Sequence, residues 1–422
     1  MKNNLLYILL LIVIAFSACK KDGLAKYDIE KSFADPSVSL DDLKKQIAAG
    51  TDGFRMTIEP STGKYYAGYI SFDGTSTAKF LLDNSTANAS AASDTKYSLS
   101  IRQTNPTLSL GSTSSFAVLA KNLGGIDSTY TYKSVKGDTL SFVGNLLGSK
   151  LYLIKSTKAD ATEYLAGKMT QSIASTASFK SFVQYFKRLT IGAKSYDFII
   201  NPTTKILTLN YLSGTAYKQF NTYYGTTNNG IVLKTAFSDG TNIITGLDGI
   251  SVDLANDIAT AKSGTVAATI SGVAAPLYYD INAAKNWWTW AKASTYVSAE
   301  LGFHINGVDD ALGLRSLAGY KRIDYNPAAS GAYDNARIAA TTNYGPAIIP
   351  TFTTDGKVIF PNSGSQFGTV PAAAVAVYAK YLAQINQSQG YYLIQTNGGT
   401  TETITYDMVN VADAKAWVSW HY

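Results

Sequence analysis

The 422-residue sequence holds one cysteine, two histidines and, among its 30 acidic residues, only five glutamates (Glu30, Glu59, Glu163, Glu300, Glu402). A single Cys excludes a disulfide framework and a thiolate zinc site. His304 and His421 lie far apart and no His-Glu-x-x-His stretch occurs. A hydrolytic zinc centre therefore has no ligand set at short spacing. No metal and no cofactor is expected. A Gly-x-Ser-x-Gly elbow is also missing, and a serine triad would have to recruit one of the two His. Prolines number ten and glycines 34, too few and too scattered for collagen-like or Pro-rich low complexity. Only 16% of residues are charged against 46% hydrophobic, which excludes charge-driven disorder over most of the length. The length suits two or three domains.

Long apolar runs are lacking as well, apart from one. Residues 5–16 form an apolar run of twelve after Lys2. That is too short to span a hydrocarbon core of roughly 30 Å and fits the h-region of a signal peptide. The segment ends Phe16-Ser17-Ala18-Cys19, with small residues before the only Cys. It resembles the lipobox of bacterial lipoproteins, which implies diacylglyceryl modification of the Cys19 sulfur and cleavage just before it. Two or three acyl chains, at roughly 0.8 kcal/mol per buried CH₂, hold a protein on a bilayer without a transmembrane helix. The stretch after Cys19 reads as a flexible tether to about Pro36.

The net charge of +6 falls to +5 once Lys2 is removed with the signal peptide. The cations are scattered, only six are Arg, and no basic run carries interleaved aromatics. Nucleic acid is not an expected partner.

What is present is period-two alternation. Tyr97-Ser98-Leu99-Ser100-Ile101-Arg102 places its apolar members on one face, and 64–72, 139–143, 150–154 and 205–211 have the same character. Gly, Asn and Asp cluster between these runs, at Asp73-Gly74, Gly124-Gly125, Lys136-Gly137-Asp138, Asn228-Asn229-Gly230, Asp239-Gly240, Asp248-Gly249, Asp355-Gly356 and Gly398-Gly399. The expected fold is mainly β: successive antiparallel meander, sandwich or partly closed barrel modules with a few short helices. Helices are expected from Ser39 to Gly50, over 157–166 behind the N-cap Thr157, over 178–189, over 371–389, and as a short helix or turn over 411–420. The chain divides into a signal peptide (1–18), the lipidated Cys with its tether (19–36), a first β module with an N-terminal helix (37–167), a second β module (168–275) and a third, Trp-containing module (276–422).

Three stretches together resemble a known family. They are 133–140 with 148–151 and 155–165; Asn229-Gly230-Ile231-Val232-Leu233; and 391–393 with 406–409. With the lipobox and the length, they are similar to Bacteroidetes lipoproteins of unknown function found beside SusC/SusD-like outer-membrane uptake systems and a zinc-metallohydrolase-like lipoprotein. The resemblance implies a nutrient-acquisition context and a lipid-anchored place in the outer membrane. It transfers no catalytic residue. Members flipped to the cell surface carry acids after the Cys; here only Asp22 follows Lys20 and Lys21. The cell surface is the expected face, with the periplasmic face as the alternative.

Tyr outnumbers Phe 29 to 17, and Tyr suits surfaces that are apolar on one side and wet on the other. Tyr278-Tyr279 and Trp287-Trp288-Thr289-Trp290 are dense aromatic clusters. Adjacent residues of a strand point to opposite faces, so Tyr278, Tyr279, Trp287, Trp288 and Trp290 are the candidate platform on which a pyranose C–H face could stack. The reading is a non-catalytic binder of a nutrient, a glycan among the candidates, serving a SusC/SusD-like transporter. The alternatives are an Asp-based hydrolase, with Asp309-Asp310 the densest acidic spot outside the first helix and otherwise a solvated turn or calcium loop, and a structural docking subunit.

Overall fold

The computed structural model describes residues 35–397 and 404–422. The expected signal peptide, Cys19, nearly all of the tether and the Gly398-Gly399 turn lie outside the described residues.

The described chain opens on helix α1 (Pro36–Ala48). The Asp35 side chain accepts the Ser37 N–H at 2.9 Å and Pro36 occupies the first turn. The helix thus starts ahead of the expected Ser39, because an Asp cap followed by Pro is the stronger start signal. Nine strands follow: β1 (Phe54–Glu59), β2 (Tyr66–Phe72), β3 (Thr77–Leu82), β4 (Ser93–Lys96), β5 (Ser98–Arg102), β6 (Asn105–Ser109), β7 (Thr129–Lys136), β8 (Thr139–Gly144) and β9 (Lys150–Lys155). Short helices α2 (Thr86–Ser90) and α3 (Ser115–Leu123) interrupt them. The strands make one antiparallel sheet in the order β4-β3-β2-β1-β9-β8-β7-β6-β5. Leu43 and Ile47 of α1 pack into its core with Met56, Ile70, Leu140 and Leu153.

Helix α4 (Lys158–Leu165) carries the capping box that the sequence announces: Asp160 N–H donates to Thr157 Oγ1, and Thr157 N–H donates back to the Asp160 carboxylate. Gly167, at φ +76°, ends that turn and starts α5 (Lys168–Ser178). The helix expected over 178–189 is not formed. Phe179 and Phe182 sit on a single 3₁₀ turn and enter the core of a barrel, and Phe186–Ile191 is a strand. Leu189 pairs with Ile270, so the requirement to close the barrel overrides the helical spacing of the aromatics.

The barrel is an eight-stranded antiparallel meander: β10 (Phe186–Ile191), β11 (Lys194–Asn201), β12 (Ile206–Ser213), β13 (Ala216–Thr226), β14 (Gly230–Ser238), β15 (Ile243–Asp253), β16 (Ile258–Ser263) and β17 (Val266–Val273). It closes through β10 and β17. Leu189, Tyr196, Phe198, Leu209, Tyr224 and Phe237 fill its interior together with Phe179 and Phe182. An eight-stranded barrel either fills itself or encloses a ligand; this one is filled.

Lys187 alternates with Leu189 and Ile191, so its side chain heads into the barrel mouth. Its ammonium donates to the Tyr185 carbonyl at 3.0 Å and lies 5.9 Å from the Phe182 ring. Burial pulls its pKa down to about 8, opposed by the Asp257 carboxylate. A base whose folded pKa is depressed favours the neutral native form. Its contribution to stability is therefore full above the ordinary value of 10.5 and is lost as pH falls through about 8. Lys187→Met should be about 1–3 kcal/mol more stable than the parent at pH 7, with the gap closing towards pH 10.5. Urea unfolding of both proteins at pH 7 and pH 10 measures this; an equal gap at the two values would refute it.

The remainder builds β18 (Val297–Ala299), β19 (His304–Ile305), β20 (Arg322–Ser330), β21 (Tyr333–Ala339), β22 (Gly345–Ile348), β23 (Thr351–Phe352), β24 (Val358–Ile359), β25 (Asn362–Phe367), β26 (Tyr391–Asn397), β27 (Ile404–Asn410) and β28 (Ala416–Trp420), with helices α6 (Ala283–Ala293) and α7 (Val375–Ile385). They form a five-stranded sheet, β18-β20-β21-β22-β25, and a six-stranded sheet, β19-β28-β27-β26-β24-β23. Both share one core with the two helices. Two expectations are corrected here. The α-helix of 371–389 is confined to Val375–Ile385 behind a 3₁₀ turn at Ala372–Ala374. The 411–420 segment ends in a strand, because Ala416, Val418 and Trp420 alternate inward with Trp417 and Ser419 and pair with β27.

Two joints bind these parts. At the first, the wholly buried Asp83 carboxylate accepts the Ala67 N–H at 3.0 Å, the Thr226 N–H and the Lys205 ammonium. Gly225 packs so closely on Ala67 that a Cβ would lie 2.6 Å from the Ala67 Cβ. At the second, the Tyr185 hydroxyl donates to Asp407 at 2.6 Å, while the Phe186 ring meets Tyr392 edge-on and the Tyr185 ring meets Trp417.

Candidate functional site

The outer wall of the barrel on β10–β13 is built by alternation. Tyr196 and Phe198 of β11, Leu207 and Leu209 of β12 and Tyr224 of β13 are interior residues. Asp197, Thr208, Asn210, Tyr217, Gln219 and Asn221 therefore face outward. The register sets Asp197 beside Asn210, Asn210 beside Gln219, and Thr208 beside Asn221. A chain of hydrogen bonds runs along this face. Thr208 Oγ1 donates to Asn221 Oδ1 at 2.5 Å, Asn221 Nδ2 to Gln219 Oε1 at 3.1 Å, and Gln219 Nε2 to Asn210 Oδ1 at 3.1 Å and the Tyr217 hydroxyl at 3.4 Å. Each bond fixes the orientation of the next amide.

Asp197 ties a distant loop to this wall. It is buried, paired with Arg188 Nε at 3.1 Å, and accepts the Leu277 N–H at 2.8 Å. Burial raises its pKa despite the guanidinium beside it. The anchored loop delivers Tyr278, whose ring stacks on Tyr217 with centroids 4.0 Å apart and planes at 18°. Both rings are half-buried. Ile199, Leu212 and Leu277 are exposed around them. The result is a ledge of paired aromatic rings beside a row of oriented amides.

The five aromatics singled out from sequence are dispersed. Only Tyr278 joins the ledge. Tyr279 points into the second joint, edge-on to Tyr392 at 4.7 Å, with its hydroxyl bonded to the Asp355 carbonyl. The Trp cluster lies on helix α6, where residues three and four apart share a face and adjacent ones do not. Trp287 is wholly buried against Tyr325, Phe360 and Trp420 and presents no ring to solvent. Trp288 is half-buried, donates its Nε1–H to the buried Asp334 at 2.8 Å and is covered by the Lys292 ammonium. Trp290 packs against Tyr406. The expected Trp platform is corrected: these rings are committed to the core and its rim.

The acids and histidines resolve equally plainly. Asp310 accepts the Leu314 and Arg315 N–H groups, and Asp309 holds His304 Nδ1 at 2.8 Å while that ring stacks on Trp417. His421 Nε2 bonds Glu300 at 2.6 Å. Among the described residues, no three His, Cys, Asp or Glu come together as a metal cluster, and no helix is long and apolar enough to cross a membrane.

Tyr217, Gln219, Asn210, Asn221 and Thr208 were missed from sequence. Their signal was a hairpin folded about Gly214, whose two polar stripes, Thr208-x-Asn210 and Tyr217-x-Gln219-x-Asn221, fall opposite one another.

Fold and surface together define an antiparallel β protein with a filled, closed barrel at its centre and its ordered polar-aromatic face on the barrel wall. A family model described as a domain of unknown function (DUF4302) matches residues 37–249, about half of the chain, and the chain belongs to that family. The match covers the first sheet and the ledge's strands, and stops before Tyr278. No curated protein matches. Solved structures aligned to the chain include the DNA polymerase III beta chain of Streptococcus pneumoniae TIGR4, 9% identical over 92% of this chain and 97% of that one, with a TM-score of 0.15. The DNA polymerase III beta subunit of Borrelia burgdorferi, in complex with a natural product, is 7% identical at the same coverage and TM-score. Likeness at that score carries no argument.

Proposed function

We propose that the protein is a non-catalytic binding module that captures a glycan on the Tyr217–Tyr278 ledge. The observation that carries this reading is the stacked ring pair beside the Thr208–Asn221–Gln219–Asn210 ladder. Aromatic faces take the apolar side of a pyranose, and pre-oriented amides exchange hydrogen bonds with its hydroxyls. The acids support the same reading, because buried carboxylates are committed to structural donors: Asp83 to Lys205, Asp127 to Ser149 and Asp324 to two Arg. On this proposal Cys19 carries the lipid that holds the protein in the outer membrane, on the cell surface, as an accessory of a SusC/SusD-like uptake system.

Affinity electrophoresis and calorimetry with a panel of neutral glycans test the ledge. Tyr217→Ala and Tyr278→Ala should each weaken binding about 3- to 10-fold, the worth of one aromatic contact. Uniform absence of binding, or binding indifferent to both changes, would sink the proposal. Mass spectrometry of the mature protein tests the anchor through the mass of the acyl groups on Cys19.

A further inference from the structure

A second surface, on different strands, has chemistry of its own. Ile323 and Tyr325 of β20, Ala336 and Ile338 of β21, and Val297 and Ala299 of β18 face the core. Arg322, Asp324, Asn326, Asn335 and Arg337 therefore share the opposite face, with Tyr296 and Glu300 flanking it. Asp324 is wholly buried. One of its oxygens accepts Arg322 Nε at 2.6 Å and the other accepts Arg337 Nε and Nη2, both at 2.9 Å. The Tyr296 ring lies 5.3 Å from one guanidinium and 5.9 Å from the other, and its hydroxyl accepts from Arg322 Nη2 at 3.2 Å. Two guanidiniums are thus fixed side by side, 30% and 27% exposed, over a single carboxylate. Glu300 is engaged by His421.

A guanidinium carries five N–H donors in a rigid fork. Among the described residues, Nη1 of Arg322 and Nη1 of Arg337 meet no partner. Next to them Asn326 pairs across the strands with Asn335. The side-chain oxygen of each is buried without a hydrogen-bond partner, and Asn335 is only 6% exposed. An orphaned buried acceptor costs about 1–3 kcal/mol until a donor reaches it. Free cationic donors beside orphaned amide acceptors call for a ligand that brings an oxyanion and hydroxyls together.

We infer that this face binds a carboxylate-bearing sugar, a uronic acid unit, with its carboxylate on the Arg322–Arg337 pair and its hydroxyls on Asn326 and Asn335, whose buried amide oxygens turn outward to meet them. The site is separate from the Tyr217–Tyr278 ledge and does not depend on it. Calorimetry with trigalacturonate, its methyl ester and the dipeptide Asp-Glu tests it, beside the Nε–Hε signals of Arg322 and Arg337 in ¹⁵N-labelled protein. The acid should bind at least ten times tighter than the ester, which keeps the hydroxyls and loses the charge, and tighter than the dipeptide, which has carboxylates without sugar hydroxyls. Both arginine signals should shift with the acid only. Arg322→Gln should weaken binding at least tenfold and Lys121→Gln, on the exposed face of α3, should leave it unchanged. Should Arg322→Gln fail to fold, the ligand comparison and the arginine signals on the unaltered protein decide. Absence of binding at millimolar concentration, equal binding of acid and ester, a dipeptide as tight as the acid, or unmoved arginine signals would each overturn the inference.

Discussion

Replacing Trp287 with alanine should lower the stability of the protein by about 3–5 kcal/mol, the range for an aromatic-to-Ala change in a packed core. The ring is wholly buried, 4.5 Å from Tyr325 and 6.1 Å from Trp420, at the meeting point of α6 and both sheets. Its removal leaves a cavity that Tyr325, Phe360 and Trp420, held on separate parts of the chain, cannot collapse together to fill. Trp287→Phe should cost less, since it keeps much of the packing and removes an indole N–H that is buried without a partner. Urea unfolding of the two variants measures the difference. Full stability of Trp287→Ala would show that the core does not rest on this residue.

The second large effect is expected at Asp83. Asp83→Ala removes the acceptor for two backbone N–H groups and leaves the Lys205 ammonium, only 16% exposed, beside a joint with no counter-charge. Breaking one partner out of a buried pair typically costs about 3–5 kcal/mol. Lys205 is held at φ +56°, a conformation a non-glycine residue adopts only under constraint, and the carboxylate supplies part of that constraint. The double variant Asp83→Ala/Lys205→Met should recover part of the loss, because it leaves no unpaired charge. Denaturant unfolding of the four-protein cycle isolates the coupling. A coupling energy near zero would refute the clamp.

The strands were legible because their alternation is local. The stretch 139–143 and the box at Thr157–Asp160 announce β8 and α4 without help from distant residues. The misses have two causes, one distant and one local. In 178–189 the aromatics are spaced like a helix face, but β17 needs a partner and takes the segment as a strand. Around Trp287 the tryptophans read as strand residues, whereas Ala283, Ala284, Ala291 and Ala293 with Lys285 and Lys292 make good helix. One ring of the ledge was legible: Tyr278 stood out as part of a tyrosine pair. Its partner Tyr217 is placed by a hairpin register, and both depend on Asp197 reaching Leu277 across 80 positions. No local pattern carries a contact of that range.

The seam between β10 and β17 has a consequence for biogenesis. The first strand of the meander finds its last hydrogen-bonding neighbour only when Val266–Val273 has left the ribosome. Until then both flanks of the growing sheet are open templates for stray pairing. A chaperone that shields Phe186–Ile191 during synthesis would serve this chain better than one acting on its earlier segments, and truncations ending before 266 should accumulate as aggregates and not as shorter soluble forms.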